Sequence, residues 1–212
     1  MNHFRNTIFS GIQQEEFETL SKNWQRKYFP KNTIILNEGD RSDYFYLIES
    51  GKVKVLLEDE QGKEFILNVL EGGEYFGEMA LIDNEVRSAT VVAMEDSNLT
   101  LISMQDFTRC MAQYPDIAAR LMMGLIRRLR HATRKIGSLA LLDVSGRVAS
   151  MLLQLAHKKD GVLVVEKQLT HKEIANNVGS SREMVGRILR EMIDSGYISI
   201  DRDKRIILHE KH

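Results

Sequence analysis

Residues 170–192 read THKEIANNVGSSREMVGRILREM, and this stretch holds two helix starts on either side of a glycine turn. Thr170-His171-Lys172-Glu173 has the Ser/Thr-x-x-Glu form of a capping box and predicts a short helix, Ile174 to Val178, that ends at Gly179. Ser180-Ser181-Arg182-Glu183 repeats that form and predicts a second helix. Two capped helices joined by a glycine turn indicate a helix-turn-helix.

The second predicted helix has one apolar and one polar face. Helical spacing places the apolar side chains on one stripe: Val185, Ile188, Leu189 and Met192. The side chains outside that stripe are Arg182, Glu183, Arg187 and Arg190. Arginine can donate two hydrogen bonds to guanine and glutamate can accept one from cytosine, so this face predicts a reader of double-stranded DNA. A stable three-helix core with merely solvated arginines is the alternative.

Further elements are predicted on both sides of the helix-turn-helix. Asp143 is placed to cap a helix that runs through Val148 and Leu155. Beyond Gly196, the runs Tyr197–Ile200 and Arg205–Leu208 flank a polar turn and predict a β-hairpin wing.

Residues 118–139 follow a heptad pattern. Their apolar positions alternate intervals of four and three residues: Ala118, Met122, Leu125, Leu129, Ala132, Ile136 and Leu139. Basic side chains occupy the other faces: Arg127, Arg128, Arg130, Arg134 and Lys135. This seam predicts a parallel homodimer, and a helix packed on its own domain is the alternative.

Residues 33–104 are a succession of short β-branched and aromatic runs with turn residues between them. The runs are Thr33–Leu36, Tyr44–Glu49, Lys52–Leu57, Glu64–Leu70, Ser88–Glu95 and Leu99–Met104. This pattern predicts an all-β sandwich or barrel.

Within residues 33–104, Gly77 and Glu78 precede Arg87 by about ten residues. A glycine that opens a helical turn exposes backbone N–H groups to an anion, and arginine can neutralise a phosphate, so we expect an anion pocket here. A surface salt bridge between Glu78 and Arg87 is the alternative.

Composition excludes several classes of protein. The chain has 212 residues and a formal net charge of −1, yet residues 119–142 hold six basic side chains and no acidic one. We expect no membrane span, since no apolar run approaches the roughly 18 residues that one needs. The N-terminus lacks a signal-peptide pattern, and a cytoplasmic protein is expected. No histidine lies between residues 33 and 104, which argues against a cupin-type metal enzyme, and Cys110 alone cannot hold an iron–sulfur cluster.

The chain resembles the cyclic-AMP receptor protein branch of the CRP/FNR family of transcription regulators along nearly its full length. Three motifs carry the resemblance: Phe76–Leu81 with Arg87–Thr90, Leu141–Ala149, and Ser181–Arg187. It implies an α+β fold with a β jelly-roll cyclic-nucleotide-binding domain over 1–115, a dimerisation helix and hinge over 116–142, and a winged helix-turn-helix over 143–212. It also implies a cytoplasmic homodimer that binds a palindromic operator and RNA polymerase, and that is not an enzyme.

The resemblance further implies a set of binding residues. The effector, expected to be cyclic AMP without metal or haem, would be held by Gly77, Glu78, Arg87, Ser88, Ala89 and Thr133. A TGTGA-like half-site would be read by Arg182, Glu183 and Arg187, and phosphates would be contacted by Thr170, Lys172 and Ser181. Relatives usually carry two hydroxyl residues where this chain has Ala132 and Thr133, and a threonine where it has Met184. A regulator that is ligand-independent, or that binds cyclic GMP or cyclic di-GMP, is therefore the alternative.

Overall fold

The computed structural model describes residues 7–41, 43–159 and 161–209. The chain divides into two compact units, of which the first ends at Arg130 and the second begins at His131. Strands dominate the first unit, while the second combines short helices with a small sheet, so the expected α+β class is confirmed. The expected division at residues 115 and 142 stays a prediction.

The described part of the first unit contains eight strands in two antiparallel sheets. They are β1 Gln25–Phe29, β2 Ile34–Leu36, β3 Tyr44–Ser50, β4 Lys52–Glu58, β5 Glu64–Glu71, β6 Tyr75–Phe76, β7 Thr90–Ala93 and β8 Ser97–Ser103. The sheet orders are β1-β8-β3-β6 and β2-β7-β4-β5, which is the arrangement of a jelly roll. Strand β1 was not predicted, because four of its five residues are exposed at a sheet edge and leave no apolar pattern.

Strand β3 shows why the first unit needs helices as well as two sheets. Its alternate residues Phe45 and Leu47 belong to one core cluster, and Tyr46 and Ile48 belong to another. Successive side chains of a strand point to opposite faces, so both faces of this sheet are covered. One face packs on the second sheet, and the other packs on the helices. The helices of this unit are α1 Gln14–Leu20, α2 Glu78–Ile82, α3 Met104–Gln113 and the start of α4 Pro115–Leu141.

Helix α4 carries two neighbouring stripes of different character. Ile117, Leu121 and Gly124 are buried in the first unit. Residues of the predicted seam instead face outward, with Met122 57% exposed and Leu129 68% exposed. The helix thus packs on its own domain and also presents an exposed apolar stripe, so the two sequence interpretations describe different faces of one helix.

The second unit folds around α5 Val144–Leu155, α6 His171–Val178 and α7 Arg182–Asp194. Asp143 caps α5 as predicted, since its carboxylate accepts a hydrogen bond from the Gly146 N–H at 2.7 Å. The predicted wing is part of a larger sheet, whose order is β11-β12-β10-β9. Its strands are β9 His157–Lys159, β10 Val162–Val165, β11 Ile198–Ile200 and β12 Ile206–Leu208.

Candidate functional sites

The first candidate site lies where β6 ends and α2 begins. Gly77 joins them with a left-handed backbone, φ 84°. A side chain at this position would lie 2.8 Å from Nη1 of Arg87 and 3.2 Å from the carbonyl oxygen of Tyr44. Glycine is therefore required both for the backbone conformation and for the close approach of Arg87.

Arg87 is 3% exposed and lies against the turn at Gly77 and Glu78. We call these three residues the cradle. Its Nη1 donates to the carbonyl oxygen of Gly77 at 2.6 Å, and its Nη2 donates to that of Tyr44 at 2.7 Å. Burial lowers the pKa of the Arg87 guanidinium, because desolvation outweighs the favourable charges nearby. A desolvated cation next to the first turn of α2 is suited to an anionic group such as a phosphate.

Glu78 forms an ion pair that the sequence did not predict. The Glu78 side chain is 3% exposed, and its carboxylate accepts a hydrogen bond from Nη1 of Arg128 at 2.7 Å. Arg128 also donates to the carbonyl oxygen of Tyr75. Arg128 lies off the predicted seam, and its side chain reaches into the cradle. A surface salt bridge between Glu78 and Arg87 is wrong, because both side chains are buried.

The remaining residues of the predicted effector set occupy different settings. Ser88 is exposed, and its hydroxyl lies 3.9 Å from the sulfur of Met79. Ala89 is buried at the start of β7. Thr133 is exposed on the part of α4 that belongs to the second unit, so its role in an effector site stays a prediction.

The second candidate site is built on the caps of α6 and α7. Thr170 and Glu173 form the predicted capping box, and the Thr170 hydroxyl also donates to the Glu173 carboxylate at 2.9 Å. Ser181 rather than Ser180 caps α7, and its oxygen accepts from the Met184 N–H. The Ser181 hydroxyl can therefore still donate a hydrogen bond to another acceptor, whereas the Thr170 hydroxyl already donates to Glu173.

A groove between α6 and α7 collects all three of the predicted base-reading side chains. Its lining consists of His171, Arg182, Glu183, Gly186, Arg187 and Arg190. His171 was not among the predicted residues. It enters the groove because Gly186 has no side chain: a Cβ there would lie 3.2 Å from the His171 ring. A glycine on the polar face of a helix was the signal in the sequence.

Two other residues of this unit lie outside the groove. Lys172 is exposed on α6. Met184, which stands where relatives carry threonine, packs at the edge of the core beneath α7. Met184 is partly buried, whereas the predicted base readers Arg182, Glu183 and Arg187 are exposed.

Within residues 7–41, 43–159 and 161–209, no cluster of three or more histidine, cysteine or acidic side chains could hold a metal ion. In the same ranges, no helix has the length and apolar character needed to cross a membrane.

Comparison with known proteins places each candidate site within a matched domain. Residues 26–114 match the cyclic nucleotide-binding domain, and residues 146–212 match the Crp-like helix-turn-helix domain. The chain is 38% identical to the cAMP-activated global transcriptional regulator CRP of Salmonella typhimurium over 175 residues, which cover 81% of this chain and 83% of that protein. It is 38% identical to the cAMP-activated global transcriptional regulator Vfr of Pseudomonas aeruginosa, with coverage of 83% and 85%.

A solved structure gives the same result for the fold. The c-di-GMP responsive global regulator CLP of Xanthomonas campestris superposes with a TM-score of 0.77 at 27% identity, covering 94% of this chain and all of that one. Its fold similarity extends across both units. The chain therefore belongs to the CRP/FNR family, as a cyclic-nucleotide-binding and DNA-binding transcription regulator rather than an enzyme.

Proposed function

We propose that the chain is a cyclic-AMP-responsive homodimer that acts in the cytoplasm and binds an inverted repeat with TGTGA-like half-sites. The observation that carries the effector assignment is the buried Arg87 guanidinium against Gly77, with the Glu78 carboxylate in the same cradle. Arg87 would hold the cyclic phosphate, with Ser88 and the Ala89 backbone beside it. Glu78 would accept a hydrogen bond from the ribose. Two relatives named as cAMP-activated support this choice of nucleotide.

A different nucleotide is the second candidate. The structural relative CLP is described as responsive to c-di-GMP. Ala132 has no hydroxyl to bond the amino group of adenine, and Thr133 is the one hydroxyl left of the usual pair. These features weaken selection of the base while leaving phosphate and ribose recognition intact.

Calorimetric titration with cyclic AMP, cyclic GMP and cyclic di-GMP distinguishes the candidates. Cyclic AMP should bind most tightly, and Ser88→Ala should weaken binding without loss of stability, because the Ser88 side chain is exposed and its contact to Met79 is long. Arg87→Leu should abolish binding, but its guanidinium also joins two backbone segments. The Arg87 result therefore counts only if circular dichroism and the unfolding midpoint show a folded protein. Tightest binding of another nucleotide would overturn the choice of cyclic AMP.

The dimer assignment rests on the exposed stripe of α4. Met122, Leu129 and Ile136 are 57%, 68% and 66% exposed, and water-exposed apolar side chains at a/d spacing favour a partner helix. Leu125 is a poor position for a test, since it also packs against the core of the first unit.

Met122→Glu and Leu129→Glu should give monomers in sedimentation velocity. Met123→Glu is the matched control: Met123 is 53% exposed, directly adjacent, and off the seam. Dimers that persist in both seam variants, or equal dissociation of the control, would contradict the seam.

The DNA assignment follows from the groove on α7. A symmetric dimer would present two such helices to successive major grooves, roughly 34 Å apart, and this predicts an inverted repeat. Selection from a random DNA pool should recover that repeat. Recovery of a non-palindromic site would overturn the assignment. Contact with RNA polymerase remains a prediction from the family.

A further inference from the structure

The strand that leads into the cradle is attached to α4 by Tyr75. This side chain is 4% exposed, and its ring stacks on Phe45 with centroids 5.3 Å apart. Its hydroxyl donates to the carbonyl oxygen of Leu121, in the second turn of α4, at 3.2 Å. A side-chain hydroxyl that bonds a carbonyl inside a helix needs very close approach to the helix backbone.

Gly124 makes that approach possible. A Cβ at this position would overlap the Tyr75 hydroxyl oxygen and lie 3.0 Å from Cζ of the same ring. Glycine is a poor helix former, and Gly124 is buried within a 27-residue helix. Its presence is therefore explained by the notch that it leaves for Tyr75.

Arg128 completes the attachment one turn further along α4. It donates to the carbonyl oxygen of Tyr75, and its Cζ lies 4.5 Å from the centroid of the Tyr75 ring. Leu121, Gly124 and Arg128 follow intervals of three and four residues, so a single stripe of α4 holds Tyr75. Gly77 lies only two residues beyond Tyr75 in the chain.

We propose that Tyr75 is a positioning residue that couples occupancy of the Gly77–Glu78 cradle to α4, with Gly124 as the notch that admits its hydroxyl. The inference rests on the proposed effector function and adds the route by which binding is transmitted. A ligand bound to the cradle shifts the end of β6, and the hydroxyl bond to Leu121 passes that shift to the helix. Without this bond the cradle and the helix move more independently.

The test compares the DNA affinity of the full-length protein with and without cyclic AMP. The probe is a duplex that carries a TGTGA inverted repeat, and the ratio of the two affinities is the coupling factor. Tyr75→Phe keeps the ring and removes the hydroxyl. We expect it to lower the coupling factor about three- to tenfold, the range of one net hydrogen bond. Tyr114→Phe is the matched control, since it removes a tyrosine hydroxyl that bonds the side chains of Gln113 and Glu16.

The outcomes separate this inference from the proposed function. A wild type whose DNA affinity does not respond to cyclic AMP refutes the proposed function, and the inference falls with it. A responsive wild type and an equally responsive Tyr75→Phe refute the inference alone, because a merely structural tyrosine would change stability and leave the coupling factor unmoved. A reduced factor in Tyr75→Phe, with Tyr114→Phe unchanged, supports it.

A double-mutant cycle tests the notch itself. Gly124→Ala should lower the urea midpoint, because the new methyl group overlaps the Tyr75 hydroxyl. Adding Tyr75→Phe to Gly124→Ala should recover part of that loss, since the overlapping oxygen is gone. Gly137→Ala, on the same helix with nothing within 4 Å, controls for helix propensity. A Gly124→Ala protein as stable as Gly137→Ala would overturn the proposed role of the notch.

Discussion

Removing Arg128 from its ion pair with Glu78 should lower the free energy of unfolding more than removing the Glu78 charge does. The Glu78 side chain is 3% exposed and the Arg128 side chain is 27% exposed. Arg128→Met leaves a carboxylate that water cannot reach, and uncompensated buried charges typically cost about 3–5 kcal/mol. Glu78→Gln leaves a cation that is partly hydrated and still bonded to Tyr75. We expect it to cost about 1.5–3 kcal/mol, the scale of one hydrogen bond to a charged group.

Urea unfolding monitored by Trp24 fluorescence measures both costs. Trp24 is the one tryptophan of the chain, and it packs in the first unit with its ring centroid 5.0 Å from that of Phe9. Arg127→Met is the matched control, because Arg127 is the exposed neighbour on α4 and should change the free energy of unfolding by less than about 0.5 kcal/mol. The double variant of Glu78 and Arg128 should be more stable than the sum of the single losses predicts.

A Glu78→Gln loss as large as the Arg128→Met loss would refute the reasoning.

Three further predictions concern other parts of the molecule. Glu183→Ala should relax the preference at one base pair per half-site by about 1–3 kcal/mol, while Lys172→Ala should weaken all sequences alike; an unchanged motif for Glu183→Ala in DNA selection contradicts this. Burial would raise the pKa of Glu173, but hydrogen bonds from Thr170 outweigh it and lower the pKa. The resulting stabilisation is complete above the unfolded pKa and is lost as the pH falls through the folded one, so Glu173→Gln should flatten the acid side of the stability profile; an unchanged acid slope would count against the capping box. Burial raises the pKa of the Cys110 thiol to about 11, so it should react with a disulfide reagent at pH 8 only after unfolding in urea, and rapid reaction of the native protein would contradict this burial.

Local chemistry explains which features the sequence could predict. The caps formed by Asp143 and Thr170 depend on groups three residues apart, so their pattern is visible in any short window. The strands with apolar alternation were found for the same reason. The one-residue error at Ser181 arose because Ser180 also stands three residues before a glutamate, at Glu183.

Features that depend on distant partners could not be predicted in this way. Strand β1 is specified by pairing with β8, which lies about seventy residues further along the chain. His171 becomes part of the groove between α6 and α7 only because α7 places Gly186 beside it. In the sequence Arg128 looks like a solvated side chain. Its partner Glu78 lies 50 residues away, so no local pattern predicts the ion pair.

The heptad pattern of α4 does not reveal the second stripe of the helix, which contacts the cradle. Met122 and Leu129 lie one residue after Leu121 and Arg128, so two parallel stripes run along the same helix about 100° apart. The apolar stripe dominates the sequence pattern, whereas the stripe that contains Gly124 and Arg128 looks small and polar. Yet the second stripe contacts the cradle, and the first is the proposed dimer seam.

A ligand that binds two arrangements of the cradle with different affinity can shift α4. Because a helix moves as a rigid element, that shift also reaches the seam. Effector response and subunit contact are therefore expected to be coupled through one helix.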